Sequence, residues 1–167
     1  MSILLDTILH ESINPALAML PKKMDSAEAR VILLAIGLQE SRFMFRYQKL
    51  VGRPYEKGPA RGFYQFERGG GVLGVLTHPA SKFHAKEVCA IRNVAADSSA
   101  VWGAIETDDV LAACFARLLL FTDPMQLPAC GNVAGAWQMY LDCWRPGKPH
   151  PDTWGAFHAQ ARSQVLQ

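Results

Sequence analysis

Apolar residues recur at helical spacing along most of this chain, and short polar or Pro- and Gly-rich stretches separate the periodic segments. The pattern predicts helices over 2–11, 15–20, 27–40, 82–95, 108–121, 132–144 and 152–165. Asn14-Pro15 and Pro21 would end the first two helices, because proline disfavours a helix interior. Four of the other predicted helices have a side chain suited to capping at their start. These residues are Ser26, Asp108, Asn132 and Asp152.

Residues 42–66 break this pattern, because polar and aromatic residues alternate there, which predicts short strands or an extended chain. An extended Phe63–Glu67 would place Phe63, Gln65 and Glu67 on one face. Gly69-Gly70-Gly71 is expected to form a flexible turn, and it lacks the Gly-Lys-Ser/Thr of a phosphate-binding loop. The fold class predicted is therefore mainly α (α+β), with a small irregular or β segment around 42–66.

The chain has 167 residues, half of them hydrophobic, which suits one domain over 1–167 with a sizeable core. It contains no apolar run long enough to cross a membrane, so membrane insertion is not expected. The first residues lack a basic start, and Asp6 and Glu11 interrupt their apolar run, so no signal peptide is predicted. We therefore expect synthesis in a cytoplasm, and a cell-wall substrate would require another component for export.

The cysteines and histidines are scattered and do not follow metal-binding spacing. Cys89, Cys114, Cys130 and Cys143 form no Cys-x-x-Cys pair, and no histidine lies near them at zinc spacing. Free thiols are therefore expected, with no metal site and no cofactor.

Glu40 is the strongest candidate for chemistry. The residues before it, 31–38, are apolar around nearly the whole helix circumference, which predicts burial on most sides. Apolar surroundings and the negative end of the helix dipole should both raise the pKa of Glu40. A carboxylic acid that keeps its proton near neutral pH can protonate the leaving oxygen of a glycosidic bond. The alternative is an ordinary solvent-facing glutamate at a helix end.

Glu40-Ser41 is followed, beginning at residue 60, by Ala60-Arg61-Gly62-Phe63-Tyr64-Gln65. Over residues 27–67 this paired motif resembles the lysozyme-like superfamily, within it the lytic transglycosylase and phage lysozyme (endolysin) branch. Two features depart from that family: the stretch between the motifs is basic, and the C-terminal Tyr-Asn-Ala-Gly motif is absent.

The resemblance implies a lysozyme-like fold and cleavage of the β-1,4 bond between N-acetylmuramic acid and N-acetylglucosamine in peptidoglycan. It implies Glu40 as the catalytic acid and base. Ser41 would brace Glu40 or bind nearby backbone, and Gln65 would position the sugar or polarise its N-acetyl group, with Tyr64 and Glu67 beside them. The matching proteins are encoded in phages and prophages, so the enzyme would reach the wall after holin-type release or as a virion component.

The helix predicted over 132–144 carries Trp137, Tyr140 and Trp144 at spacings of three and four, hence on one face. These rings could stack on sugars, or they could form an ordinary core stripe. Tyr140 is the best candidate for a polar tip that reaches the site. Arg145 and Lys148 follow and could contact substrate carboxylates.

The net charge of the chain is +2, but the charge is unevenly distributed: residues 22–92 carry +7 and the rest of the chain carries −5. A positive region beside a cleft would attract an anionic polymer, and the carboxylates of peptidoglycan peptides or a nucleic acid would both suit it. A solvated basic loop without a partner is equally compatible. Because no helix-turn-helix or aromatic-basic array is present, peptidoglycan is the expected partner and nucleic acid is not.

A glycoside hydrolase normally uses two carboxylates, and no pattern identifies the second one here. The candidates are Glu56, Glu67, Asp97 and Glu106. In the transglycosylase branch a single Glu acts as acid and then base, and the substrate's own N-acetyl or 6-hydroxyl group completes an anhydro-sugar. The lack of an obvious partner favours that reaction, while hydrolysis stays open. A virion or tail module that keeps the fold for structure or wall binding, without catalysis, is a further alternative.

Overall fold

The computed structural model describes residues 2–167. The chain begins with one helical stretch made of α1 (Ile3–Ile8), a π-helical turn (Leu9–Ile13) and α2 (Asn14–Ala18). The predicted break at Asn14-Pro15 is therefore wrong. The wider π-helical turn directly before Pro15 alters the regular hydrogen-bond ladder, which lets the chain pass a residue without an N–H and continue as a helix.

Helix α3 (Ala27–Ser41) lies in the centre of the core, as its apolar sequence predicts, and Ser26 caps it by accepting a hydrogen bond from Ala29 N at 3.2 Å. The helix ends because Arg42 and Phe43 both adopt left-handed φ angles of 55°. This reversal folds the Phe43 ring back onto Gly37, where a Cβ atom would lie 2.1 Å from the ring. Glycine at position 37 thus allows the chain to turn sharply beside Glu40.

The basic segment contains an antiparallel sheet of β1 (Tyr47–Leu50), β2 (Arg53–Arg61) and β3 (Phe66–Glu67), in that order. Strands in this segment were predicted, but an extended chain from Phe63 to Glu67 is wrong. Residues 62–65 form a turn closed by a hydrogen bond from Gln65 N to Gly62 O, with positive φ angles of 70° at Gly62 and 51° at Gln65. Phe63, Gln65 and Glu67 consequently do not share one strand face.

The remaining helices cover most of the second half of the chain. They are α4 (Leu73–Thr77), α5 (Lys82–Ile91), α6 (Ser98–Ile105), α7 (Asp109–Phe121), α8 (Val133–Trp144) and α9 (Pro151–Val165). Helix α9 packs along α3, and α7 lies in the core beside it.

Several of these bounds differ from the sequence predictions. Gly69-Gly70-Gly71 form a turn, as predicted, within a kinked π-helical segment, Arg68–Val72, in which Gly70 has non-helical angles (φ −99°, ψ −107°) and which leads into α4. Helix α5 ends at Ile91, and neither α4 nor α6 has a counterpart in the predictions. Asp108 and Asn132 cap α7 and α8 as predicted, whereas Asp152 lies in the first turn of α9, which begins at Pro151.

Two further observations concern the length of the helices and the state of the cysteines. Across residues 2–167, none of the helices is both long and apolar enough to span a lipid bilayer. All four cysteines are free thiols, two of them in the core.

Candidate active site

Glu40 lies in the last turn of α3 and is a partly exposed residue. Its Oε1 atom accepts a hydrogen bond of 2.7 Å from the hydroxyl of Tyr140, which lies on α8 and is 3 % exposed. The neighbouring side chain, Gln39, holds the same end of α3 to the start of α9, because its Oε1 accepts from Thr153 Oγ1 at 3.0 Å. Three helices therefore fix the surroundings of one carboxyl group.

Burial raises the pKa of Glu40 to about 7, and the hydrogen bond from Tyr140 opposes this by lowering the pKa. The predicted direction is confirmed, with desolvation as the main cause. Burial and the charge of Glu40 raise the pKa of the Tyr140 hydroxyl, which therefore stays a hydrogen-bond donor at neutral pH. Since the phenol donates to Oε1, Oε2 is the atom that can carry a transferable proton.

The aromatic residues of α8 lie on one face, as predicted, and surround Tyr140. Tyr140 stacks on Trp154 of α9 with ring centroids 5.3 Å apart and an interplanar angle of 16°. Trp137 contacts both rings, and Trp144 lies 6.3 Å from Tyr140. Trp154 and Tyr140 are buried, whereas Trp137 and Trp144 keep partial exposure. The stripe thus combines core packing with contact to Glu40.

The turn at 62–65 is tied to the ends of both α3 and α8. Ser41 Oγ donates to Phe63 O at 2.7 Å and accepts from Phe43 N at 3.1 Å, and Trp144 Nε1 donates to Tyr64 O at 3.0 Å. These bonds bring the two halves of the sequence motif together beside Glu40. Ser41 therefore binds backbone, the second of its two predicted roles.

Gln65 and Tyr64, both predicted to bind substrate, have different positions. Gln65 is partly exposed and its Nε2 donates to Gly62 O at 2.9 Å, which leaves its Oε1 as an acceptor. The ring of Tyr64 is 1 % exposed and packs edge-on against Phe43 at 6.3 Å. The prediction that the Tyr64 side chain contacts substrate is wrong, because the ring has no accessible surface.

Three of the four other candidate acids already have structural partners. Glu106 pairs with Lys57 and Arg61. Asp97 caps α6 by accepting from two backbone N–H groups. Glu56 pairs with its neighbour Arg53 at 3.3 Å.

Glu67 differs from those three acids. It is exposed on β3 and has no ion pair within residues 2–167. The preceding residue, Phe66, packs on Trp144 with centroids 5.8 Å apart, so β3 runs beside the aromatic cluster. Glu67 is therefore the remaining candidate for a second carboxylate.

The positive segment is partly neutralised by acids that follow it in sequence. Arg46 forms an ion pair with Asp109 on α7, with 2.8 Å between Nη2 and Oδ2. Glu106 forms ion pairs with two further cations of the segment, Lys57 and Arg61. Two other cations lie over aromatic rings: Arg42 over Phe157 and Lys49 over Phe45. Part of the positive charge of this segment is therefore offset in space by acids from outside it in the sequence.

The structure also locates the two cations after α8 and a residue that the sequence did not indicate. Arg145 adopts a left-handed φ of 49° at the end of α8, and it is exposed, as is Lys148. Trp154, which supports Tyr140, was not predicted, and its sequence signal is a large aromatic residue near the start of a mixed polar and apolar helix. Across the described residues, 2–167, no group of three or more His, Cys, Asp or Glu side chains could hold a metal ion.

No protein-family model, curated protein or solved structure matches this chain.

Proposed function

We propose that this protein cleaves the glycan strands of peptidoglycan at the β-1,4 bond between N-acetylmuramic acid and N-acetylglucosamine, with Glu40 as general acid and base. The observation that carries the proposal is Glu40, a partly exposed residue at the end of an apolar helix, where burial raises the pKa of its carboxyl to about 7. At neutral pH both protonation states of such a group are well populated, as acid–base catalysis requires.

In the first step the neutral Glu40 transfers its Oε2 proton to the bridging oxygen while the bond to the sugar C1 atom breaks. Positive charge develops on the sugar ring, and a carboxylate is left on the enzyme. The hydrogen bond from Tyr140 to Oε1 stabilises that carboxylate, which agrees with its lowering effect on the pKa of Glu40.

In the second step the Glu40 carboxylate removes a proton from the group that attacks C1. If this group is the 6-hydroxyl of the same sugar, the product is an anhydro-sugar, and one carboxylate suffices. The structural partners of Glu56, Asp97 and Glu106 support this version. If the attacking group is water, Glu67 is the available second acid.

Gln65 and the partly exposed tryptophans fit a sugar-binding surface beside Glu40. The free Oε1 of Gln65 can accept a hydrogen bond from an N-acetyl N–H or a sugar hydroxyl. Trp137 and Trp144 offer ring surface for a sugar, and Arg145 can meet a peptide carboxylate. Ser41 positions the 62–65 turn through its backbone hydrogen bonds.

The proposal includes a biological setting that follows from the resemblance of residues 27–67 to phage and prophage lytic enzymes. The protein would be made in the bacterial cytoplasm and would reach the wall after holin-type release or as part of a virion. A virion or wall-binding module without catalysis is the competing function.

Mass spectrometry of soluble products from purified peptidoglycan tests the reaction by comparing wild type with Glu40→Gln and with Glu67→Gln. Glu56→Gln, at an exposed acid that is ion-paired with Arg53, is the matched control. Anhydro-muropeptides from the wild type and the control, and none from Glu40→Gln, would support a transglycosylase. Reducing ends that require both Glu40 and Glu67 would support a hydrolase. Wall binding by folded wild type without any products would overturn catalysis and favour the structural module.

A further inference from the structure

A second candidate site lies at the opposite end of α3 from Glu40. A cavity of about 710 Å³ is bounded there by the first turn of α3, the last turns of α7 and the chain that follows α7. Ser26, the cap of α3, is fourteen residues before Glu40, which places the two ends roughly 20 Å apart along the helix. The cavity is therefore separate from the proposed catalytic site.

Arg117 is the unusual feature of this cavity. Its side chain is 5 % exposed and lines the cavity, yet no carboxylate within residues 2–167 forms a salt bridge with it. Its Nε donates to Met24 O at 2.9 Å, and that is its single hydrogen bond to the described chain. A guanidinium has five N–H donors, so most of this buried cation's donors remain available to a ligand.

No carboxylate of the described chain lies within salt-bridge distance of Arg117, although Asp123 and Glu28 line the same cavity. Burial lowers its pKa to about 10, and no carboxylate contributes to offset that effect. Asp123 lies at the cavity wall, but its Oδ1 accepts from Met125 N at 2.8 Å within its own turn. Buried charges in proteins are normally paired with an opposite charge. Within residues 2–167 Arg117 has instead the ring of Phe121, with 5.9 Å between its Cζ atom and the ring centroid, so its charge is left for an anion from outside the chain.

The other walls define what kind of anion fits. Lys23 adds a second cation, and the ring of Phe121 lies 5.2 Å from its Nζ atom. Leu120 and Leu127 add apolar surface. Glu28 lies at the same wall and would repel a ligand with several negative charges.

We infer that this cavity binds an organic monoanion, a carboxylate on an apolar body, with the carboxylate on Arg117 and the apolar body against Phe121 and Leu127. A planar carboxylate matches the forked donors of a guanidinium, which can hold both oxygens at once. The site does not involve Glu40, so it stands whether or not the protein cleaves glycans.

NMR titration of the ¹⁵N-labelled protein with sodium hexanoate tests the inference, with hexylammonium chloride as the probe of opposite charge and sodium phosphate as the multiply charged anion. Saturable shifts of the Arg117 Nε–H signal and of the first-turn amides of α3 are expected with hexanoate alone. No saturable shift there, or equal shifts with hexylammonium or phosphate, would overturn the inference.

Arg117→Met removes the charge while keeping a long side chain, and Arg162→Met, at an exposed position on α9, is the matched control. Hexanoate affinity is expected to fall about tenfold or more in Arg117→Met and to stay unchanged in the control. Without ligand, Arg117→Met should melt no lower than wild type, because an unpaired buried charge has been removed. Unchanged hexanoate affinity in folded Arg117→Met would refute binding of the carboxylate at Arg117. If that variant does not fold, the wild-type titration alone tests whether hexanoate binds in this cavity.

Discussion

Replacing Glu40 by Gln should stabilise the fold at pH 8 by about 3 kcal/mol and change it little at pH 4. Burial raises the pKa of Glu40 from 4.5 to about 7, so between these values the unfolded chain loses the proton that the folded protein keeps. The wild type therefore loses stability as pH rises through this window, by about 1.4 kcal/mol per pH unit, and the loss is complete above the folded pKa. Glutamine stays neutral throughout and keeps an oxygen acceptor for the hydroxyl of Tyr140.

Thermal unfolding followed by circular dichroism from pH 4 to pH 8 measures this difference. For a chain of this size the melting temperatures of Glu40→Gln and wild type should separate by about 6–12 °C at the alkaline end. Glu67→Gln, which removes an exposed carboxylate, controls for the loss of one negative charge. Melting curves of wild type and Glu40→Gln that stay parallel over the whole pH range would refute the argument that Glu40 is desolvated.

Three further substitutions test the surroundings of the carboxyl group. Tyr140→Phe removes the hydrogen bond that lowers the pKa of Glu40. The alkaline limb of the pH profile for the proposed peptidoglycan cleavage should therefore shift to higher pH. A limb at the wild-type pH would argue against the hydrogen bond between Tyr140 and Glu40. Gly62→Ala should cost about 2 kcal/mol or more in urea unfolding, because φ is 70° and the new Cβ would lie 2.7 Å from the carbonyl oxygen of Ile105; wild-type stability would show that the turn relaxes freely. Ser41→Ala leaves two buried backbone groups without their partner and should cost about 1–3 kcal/mol by the same assay, whereas a loss below a few tenths would argue against these bonds.

The parts of the fold that were predictable are those encoded by neighbouring residues. An unbroken apolar run and a capping serine suffice to predict α3, its burial and hence the direction of the pKa shift of Glu40. The spacing of Trp137, Tyr140 and Trp144 likewise predicts one helix face. Tyr140, as the polar tip of that face, was expected to reach the site, but its hydrogen bond to Glu40 could not be predicted because that contact joins residues 100 positions apart.

Predictions failed where backbone geometry or distant partners decide the outcome. A proline usually breaks a helix, but the π-helical turn before Pro15 keeps the chain helical there. The positive φ angles of Gly62 and Gln65 convert an apparent strand into a turn. Helix α6 was missed because it is short, although Asp97 directly before it offered a capping signal.

Roles of the acids were beyond the sequence for the same reason. Glu106 meets Lys57 across 49 positions, and Asp109 meets Arg46 across 63. Nothing in the local composition distinguishes such an ion-paired acid from a catalytic one, so candidate second carboxylates could be named but not ranked.

The contact between Glu40 and Tyr140 also bears on when the protein becomes competent during synthesis. Helix α3 leaves the ribosome long before α8 and α9, which supply the phenol and the tryptophan that supports it. Until those helices dock, the carboxyl of Glu40 lacks the contact with Tyr140, and with less burial its pKa would lie closer to 4.5. In a nascent chain, or one cut between α7 and α8, the glutamate would therefore be ionised at neutral pH, and the proposed cleavage would lack its proton donor until the last helices are in place.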